Sequence, residues 1–158
     1  MRVEPLTDTS FAAFGALIRH PGGSERHYLP AVLATPLPDA RPALWIHPVK
    51  PAQWPLRIDK LERHPHGAQS FMPLGSGHAL VVVCGKDAEG MPDPKALRAF
   101  LCPPATGFTY HPGVWHHGLT SIDAAIDFVV VMAAHGVTGE TDWFSLPTAI
   151  TIEHRDLP

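Results

Sequence analysis

The residues best equipped for chemistry lie in two short clusters, Glu62-Arg63-His64-Pro65-His66-Gly67-Ala68-Gln69-Ser70-Phe71 and Thr109-Tyr110-His111-Pro112-Gly113-Val114-Trp115-His116-His117-Gly118. In the second, proline fixes φ and glycine tolerates positive φ. Pro112-Gly113 therefore predicts a reversal, with Tyr110 and His111 in the incoming arm and Val114 to His117 in the outgoing one. Side chains alternate along an extended arm, so Val114 and His116 share one face, and Trp115 and His117 the other. In the first cluster, an extended run from Ile58 to His64 puts Ile58, Lys60, Glu62 and His64 on one face and Leu61 and Arg63 on the opposite one. A turn at Pro65 to Gly67 returns the chain, and Gln69, Phe71 and Pro73 share a face of the next strand. Glu62, His64, Gln69 and His116 then form a set of one carboxylate, two imidazoles and one amide. Such groups bind divalent cations, with nickel, zinc or manganese tolerated, or act as general acids and bases. The candidate catalytic residues are Glu62, His64 and His116.

The elements that must position these groups are mostly short strands. Ala43 to His47 reads as a strand with Leu44 and Ile46 on one face and Trp45 and His47 on the other. Further strands are expected at Ile58 to His64, Ala68 to Leu74, Ala79 to Cys84, Leu97 to Cys102, Gly107 to Tyr110, Val114 to Leu119 and Ala125 to Met132. Gly75-Ser76-Gly77 and Lys86 to Asp93 supply hairpin loops. The apolar runs Val81 to Val83 and Phe128 to Val131 predict strands buried on both faces. Leu6 to Gly15 reads as a short helix with Thr7 or Asp8 as N-cap and Gly15 at its C-terminal end. His135 to Asp142 is a polar loop, followed by an arm whose Trp143, Phe144 and Ile150 need cover, which predicts a dimer.

Bulk composition narrows the function classes. The 158 residues suit one domain, 1–158, with a substantial core, and eighteen prolines and thirteen glycines favour turns and short strands over long helices. A formal net charge of −3 without a Lys/Arg block argues against nucleic acid or an anionic membrane as partner. Neither cysteine has CxxC or disulfide-scaffold spacing, which suits a reducing cytoplasm, and there is no signal-like or membrane-spanning apolar stretch.

The two clusters carry a resemblance. Glu62-x-His64-x4-Gln69-x5-Gly75 and Gly107-x5-Gly113-x2-His116 are similar to the two cupin motifs, with Glu62 in place of a His and Gln69 in place of a Glu. A closer similarity is to the ureidoglycolate lyase family of allantoin degradation. Its members resemble this chain along Glu62-Arg63-His64-Pro65-His66-Gly67-Ala68-Gln69-Ser70-Phe71-Met72-Pro73 and Gly107-Phe108-Thr109-Tyr110-His111-Pro112-Gly113-Val114-Trp115-His116-His117. Departures are Ala68 for Ser, His66 for Leu, and Met132-Ala133 where that strand typically ends in Asp-Arg. The resemblance implies an all-β, cupin-like jelly roll (double-stranded β-helix), a homodimer, and cleavage of ureidoglycolate to glyoxylate and urea. Such an anionic small-molecule substrate needs a cation or donor for its carboxylate. Arg26 and Lys60 are candidate partners, and Tyr110 and His111 can donate to the developing carbonyl. Gln69, Trp115 and His117 complete the expected substrate-binding set. The rival readings are a metal-binding cupin enzyme acting on another small acid and a non-catalytic cupin that binds a small molecule.

Overall fold

The structure is a computed structural model that describes residues 1–134 and 140–158. In chain order its strands are β1 (Val3–Pro5), β2 (Gly15–Ile18), β3 (Arg41–Val49), β4 (Leu56–Arg63), β5 (Gln69–Pro73), β6 (Ala79–Lys86), β7 (Pro92–Cys102), β8 (Gly107–Tyr110), β9 (Trp115–His116), β10 (Thr120–Ser121), β11 (Ile126–Ala134) and β12 (Asp142–Ile152). Helix α1 (Asp8–Phe11) sits between β1 and β2, and 3-10 turns occupy Pro30–Leu33 and His154–Asp156. One sheet runs β1-β7-β6-β9-β4-β12 with β10 also on β6, and the other runs β2-β8-β5-β11-β3. Curled against each other, they form the all-β sandwich with a short N-terminal helix that the sequence predicts.

Alternation explains why β6 is apolar from Ala79 to Cys84. Val81 and Val83 join Phe11, Phe71, Phe100, Phe108, Tyr110 and Phe128 in the core between the sheets. Leu80, Val82 and Cys84 point the other way, into a second cluster with Ile58, Leu61, Trp115, Leu146 and Ile152. Phe11 anchors the inner core, meeting Phe100 edge-on with ring centroids 5.7 Å apart and planes at 82°. Edge-to-face contacts of this kind add to the area buried.

Four local expectations change. First, the helix starts as predicted, with the Thr7 hydroxyl accepting from Ser10 N–H at 3.0 Å, but it stops at Phe11. Gly15 begins β2 instead of capping the helix. A Cβ there would run into the Thr109 carbonyl oxygen, so only glycine lets β2 lie against β8. Second, the strand expected from Val114 to Leu119 is regular only at Trp115–His116, and pairing resumes at Thr120–Ser121. Third, the C-terminal arm is a strand paired with β4. Phe144 and Ile150 pack on the chain's own second cluster, while Trp143 remains 57% exposed. Fourth, Ile58 is fully buried in the second cluster beside Leu61 and does not share a face with Glu62. The β4–β12 register shifts between Lys60 and Ile58, which breaks the alternation there. Residues 135–139 of the expected polar loop lie outside the described ones.

Candidate active site and metal centre

Glu62 on β4 stands opposite His116 on β9 in the larger sheet. Across the sandwich Gln69 stands between Tyr110 on β8 and Met132 on β11. Tyr110 bridges the layers, stacking on the His116 ring with centroids 4.2 Å apart and planes at 20°. His64 follows the end of β4, where Pro65 biases its backbone towards the extended region. Its carbonyl accepts from Gly113 N–H at 2.8 Å. That bond ties the Pro112-Gly113 turn to the first cluster, and Gly113 takes the left-handed φ of 72° that the turn requires.

The main chain orients both imidazoles. His64 Nδ1 donates to the Glu140 carbonyl at 3.0 Å and His116 Nδ1 to the Val114 carbonyl at 2.9 Å. A carbonyl can only accept, so each Nδ1 carries the proton and a neutral ring presents an Nε2 lone pair. Those two Nε2 atoms and Gln69 Oε1 are buried without a hydrogen-bond partner. Glu62 Oε1 lies 3.5 Å from His116 Nε2, and one ligand atom each from Glu62, His64 and His116 lies within 4.8 Å of the others. Buried polar atoms are nearly always satisfied. Converging acceptors left unsatisfied among the described residues fit a cation or a ligand that brings protons. The donor set therefore suits a divalent metal held by Glu62, His64, Gln69 and His116.

Electrostatics sorts these groups by protonation state. Burial opposes the Glu62 charge, but His116, with His64 and His117 nearby, holds its pKa below the ordinary carboxylate value. Burial, reinforced by His116, lowers that of His64, and burial also lowers that of His117. Burial drives the Tyr110 hydroxyl far above its usual range. At neutral pH an ionised carboxylate therefore faces a neutral His64, beside a phenol that keeps its proton.

The cluster borders a cavity of about 360 Å³ whose walls include Trp45, His47, Glu62, Gln69, Leu119 and Trp143. Lys60, not itself a wall residue, sets its Nζ 4.2 Å from the ring centroid of Trp143, which is one. The structure thus brings Glu62, His64, Gln69, Tyr110 and His116 together, with Lys60 beside them. It places the other expected residues elsewhere. Trp115 faces the second cluster, donating from Nε1 to the Gly90 carbonyl at 3.1 Å under the Arg63 guanidinium. His111 is exposed and lines a separate cavity of about 460 Å³ with Lys86. Arg26 is exposed in the segment before the first 3-10 turn and is not among the residues walling the cavity. His117 spends its Nδ1 proton on the Lys60 carbonyl at 3.2 Å, on the face away from His116. The sequence did not assign Trp45, His47, Leu119 or Trp143 to the site. Only the shared face of Trp45 and His47 was legible there, and nothing local linked it to the histidines.

A family model described as ureidoglycolate lyase matches residues 1–153. This chain belongs to the ureidoglycolate lyase family. A ureidoglycolate lyase of Burkholderia cepacia is 39% identical over 140 residues, covering 83% of this chain and 78% of that protein. One from Pseudomonas aeruginosa is 37% identical, covering 83% and 82%, and one from Stutzerimonas stutzeri is 35% identical, covering 83% and 81%. Family membership gives the converging acceptors a chemical context, that of a lyase. Among the described residues, no helix is long and apolar enough to cross a membrane.

Proposed function

We propose that this protein is a carbon–nitrogen lyase that cleaves ureidoglycolate to glyoxylate and urea. The observation that carries the reading is the set of unpartnered acceptors on His64, Gln69 and His116, with the Glu62 carboxylate among them, beside a cavity of small-molecule size in a chain of this family. The substrate is a hemiaminal. Its carbinol oxygen loses a proton, the carbon–oxygen bond becomes a carbonyl, the carbon–nitrogen bond breaks, and the departing urea nitrogen gains a proton. Glu62, ionised by its histidine neighbours, is suited to take the carbinol proton. The Nε2 atoms of His64 and His116 lie close enough to relay it to the leaving nitrogen. A nickel, zinc or manganese ion held by Glu62, His64, Gln69 and His116 would occupy those same Nε2 lone pairs, and in place of the relay would supply the charge that lowers the pKa of the carbinol hydroxyl and polarises the nascent carbonyl.

Substrate carboxylate recognition falls to the Trp143 side of the cavity, where the Lys60 ammonium lies over that ring and His47 offers a ring N–H. Met132, paired with Gln69, is buried and apolar, and Val130 on the same strand walls the cavity, so the anionic end of the substrate is read beside Trp143 rather than along β11. The two buried cysteines are free, which suits a reducing cytoplasm.

Steady-state release of glyoxylate and urea from each enantiomer of ureidoglycolate tests the activity. His64→Ala and His116→Ala should each lower kcat by about 10²-fold or more, the usual scale for a lost proton-transfer group. His117→Ala should cost much less. If the protein supplied with each of the three metals releases neither product, the lyase reading fails.

A further inference from the structure

Among the described residues, the smaller sheet ends in β2 on one side and β3 on the other, and the β3 edge carries its own pairing code. Strand β3 is an outermost strand of that sheet, and its Leu44 and Ile46 are 68% and 51% exposed. Long, exposed, apolar edges of this kind are templates for further strand pairing. The direction of its main-chain groups follows from β11. Leu74 N–H donates to the Asp127 carbonyl at 2.8 Å, so the odd-numbered residues of β11 address β5 and the even-numbered ones address β3. Phe128 and Val130 stand opposite His47 and Trp45, so the odd residues of β3 bond inward to β11. The even residues Pro42, Leu44, Ile46 and Pro48 therefore point at the open edge. The two prolines have no N–H to offer, and they lie three residues to either side of Trp45.

That arrangement is symmetric about Trp45, and we propose that it pairs with a second copy of itself. Two β3 edges run antiparallel about a two-fold axis at Trp45, each Leu44 exchanging both main-chain hydrogen bonds with the partner's Ile46. Among the registers open to the edge, this one satisfies all the free N–H and C=O groups of Leu44 and Ile46. Sliding by two residues sets a Leu44 or Ile46 carbonyl against a proline nitrogen that has no proton. The prolines then face each other at the two ends of the ladder and stop it. Residues directly opposite in an antiparallel pair project from the same face. The two Trp45 side chains therefore meet on the concave side, where each already walls its own cavity, and the two catalytic clefts share a tryptophan rim. The family resemblance carries a stoichiometry of two. The edge adds the surface, the register and the shared rim, and it replaces the C-terminal arm as the contact.

Light scattering on the intact protein at micromolar concentration should give twice the chain mass. Ile46→Pro removes an outward N–H and leaves every β3–β11 hydrogen bond in place, so it should yield a monomer with an unchanged circular dichroism spectrum. A wild-type monomer, or a folded Ile46→Pro protein that is still dimeric, overturns the proposal. Cysteine crosslinking tests the register without depending on that variant. Opposed non-hydrogen-bonded positions have Cα atoms about 4.5 Å apart. Trp45→Cys should therefore form an interchain disulfide under mild oxidation. His47→Cys, displaced from its symmetry mate by four residues or about 13 Å along the strands, should not. Rapid crosslinking at 47 with none at 45 overturns the register.

Discussion

His116 is held at several points, and each leaves a measurable trace. The Val114 carbonyl fixes its tautomer, Tyr110 stacks on its face, and Glu62 sits beside its free nitrogen. Aromatic pairs contribute roughly 0.5–1.5 kcal/mol beyond burial. Tyr110→Leu should therefore lower kcat by up to about tenfold through a loosened ring, while Tyr110→Phe keeps the stack and most of the rate. Equal losses in the two variants would assign the role to the hydroxyl instead. The cysteines make a contrasting case. Burial pushes the Cys84 thiol up to about 11 and the Cys102 thiol to about 12. Both should resist iodoacetamide at pH 8 in the folded protein and react once it is unfolded. Because the folded values are raised, the unfolded chain loses these protons first. Stability is then level up to about pH 8.5, the ordinary thiol value, and falls as pH rises towards the folded values. Urea denaturation at pH 7, 9 and 10 checks the sign. At this scale the sequence was informative about Glu62, His64, Gln69 and His116, because their spacing across two turns is set by backbone geometry. It was not informative about His111 and Arg26, whose directions depend on what lies opposite.

Strand alternation worked wherever the ladder is unbroken and failed where it is not. His116 and Trp115 fell on the expected opposite faces, and so did Val81 and Val82. Ile58 fell on the wrong one because β12 departs from its register with β4 between Ser145 and Ile150, a stretch that contains Pro147. A proline inside a strand marks an irregularity, so the signal was present, but on the partner strand rather than on β4. Ile58→Ala should cost about 2–5 kcal/mol as a cavity in the second cluster. It should leave kcat per folded molecule unchanged, since the side chain faces away from Glu62. Denaturant melts and active-site titration separate the two effects. The short helix shows the same limit. Its capping box was readable at Thr7, while its end depended on a close approach between Gly15 and Thr109 that no local pattern announces.

For the molecule as a whole, the all-β class followed from proline, glycine and short apolar runs, whereas the order of strands in two sheets did not. Pairing partners such as β3 with β11 are far apart in the chain, and only the finished sandwich shows which strands end up outermost. The site draws on both layers of that sandwich. Glu62 and His116 come from the larger sheet and Gln69 from the smaller one. An ion gripped by all three would act as a rivet through the two sheets, so that the layers part only when it is released. Occupancy would then be read directly in the melting temperature. A ligand present at 100 times its Kd adds about 2.7 kcal/mol to the native state, and a chelator should take that increment away. Glu62→Gln should shrink the thermal shift without abolishing the sandwich, because the aromatic core around Phe11 and Phe108 holds the layers together without the rivet.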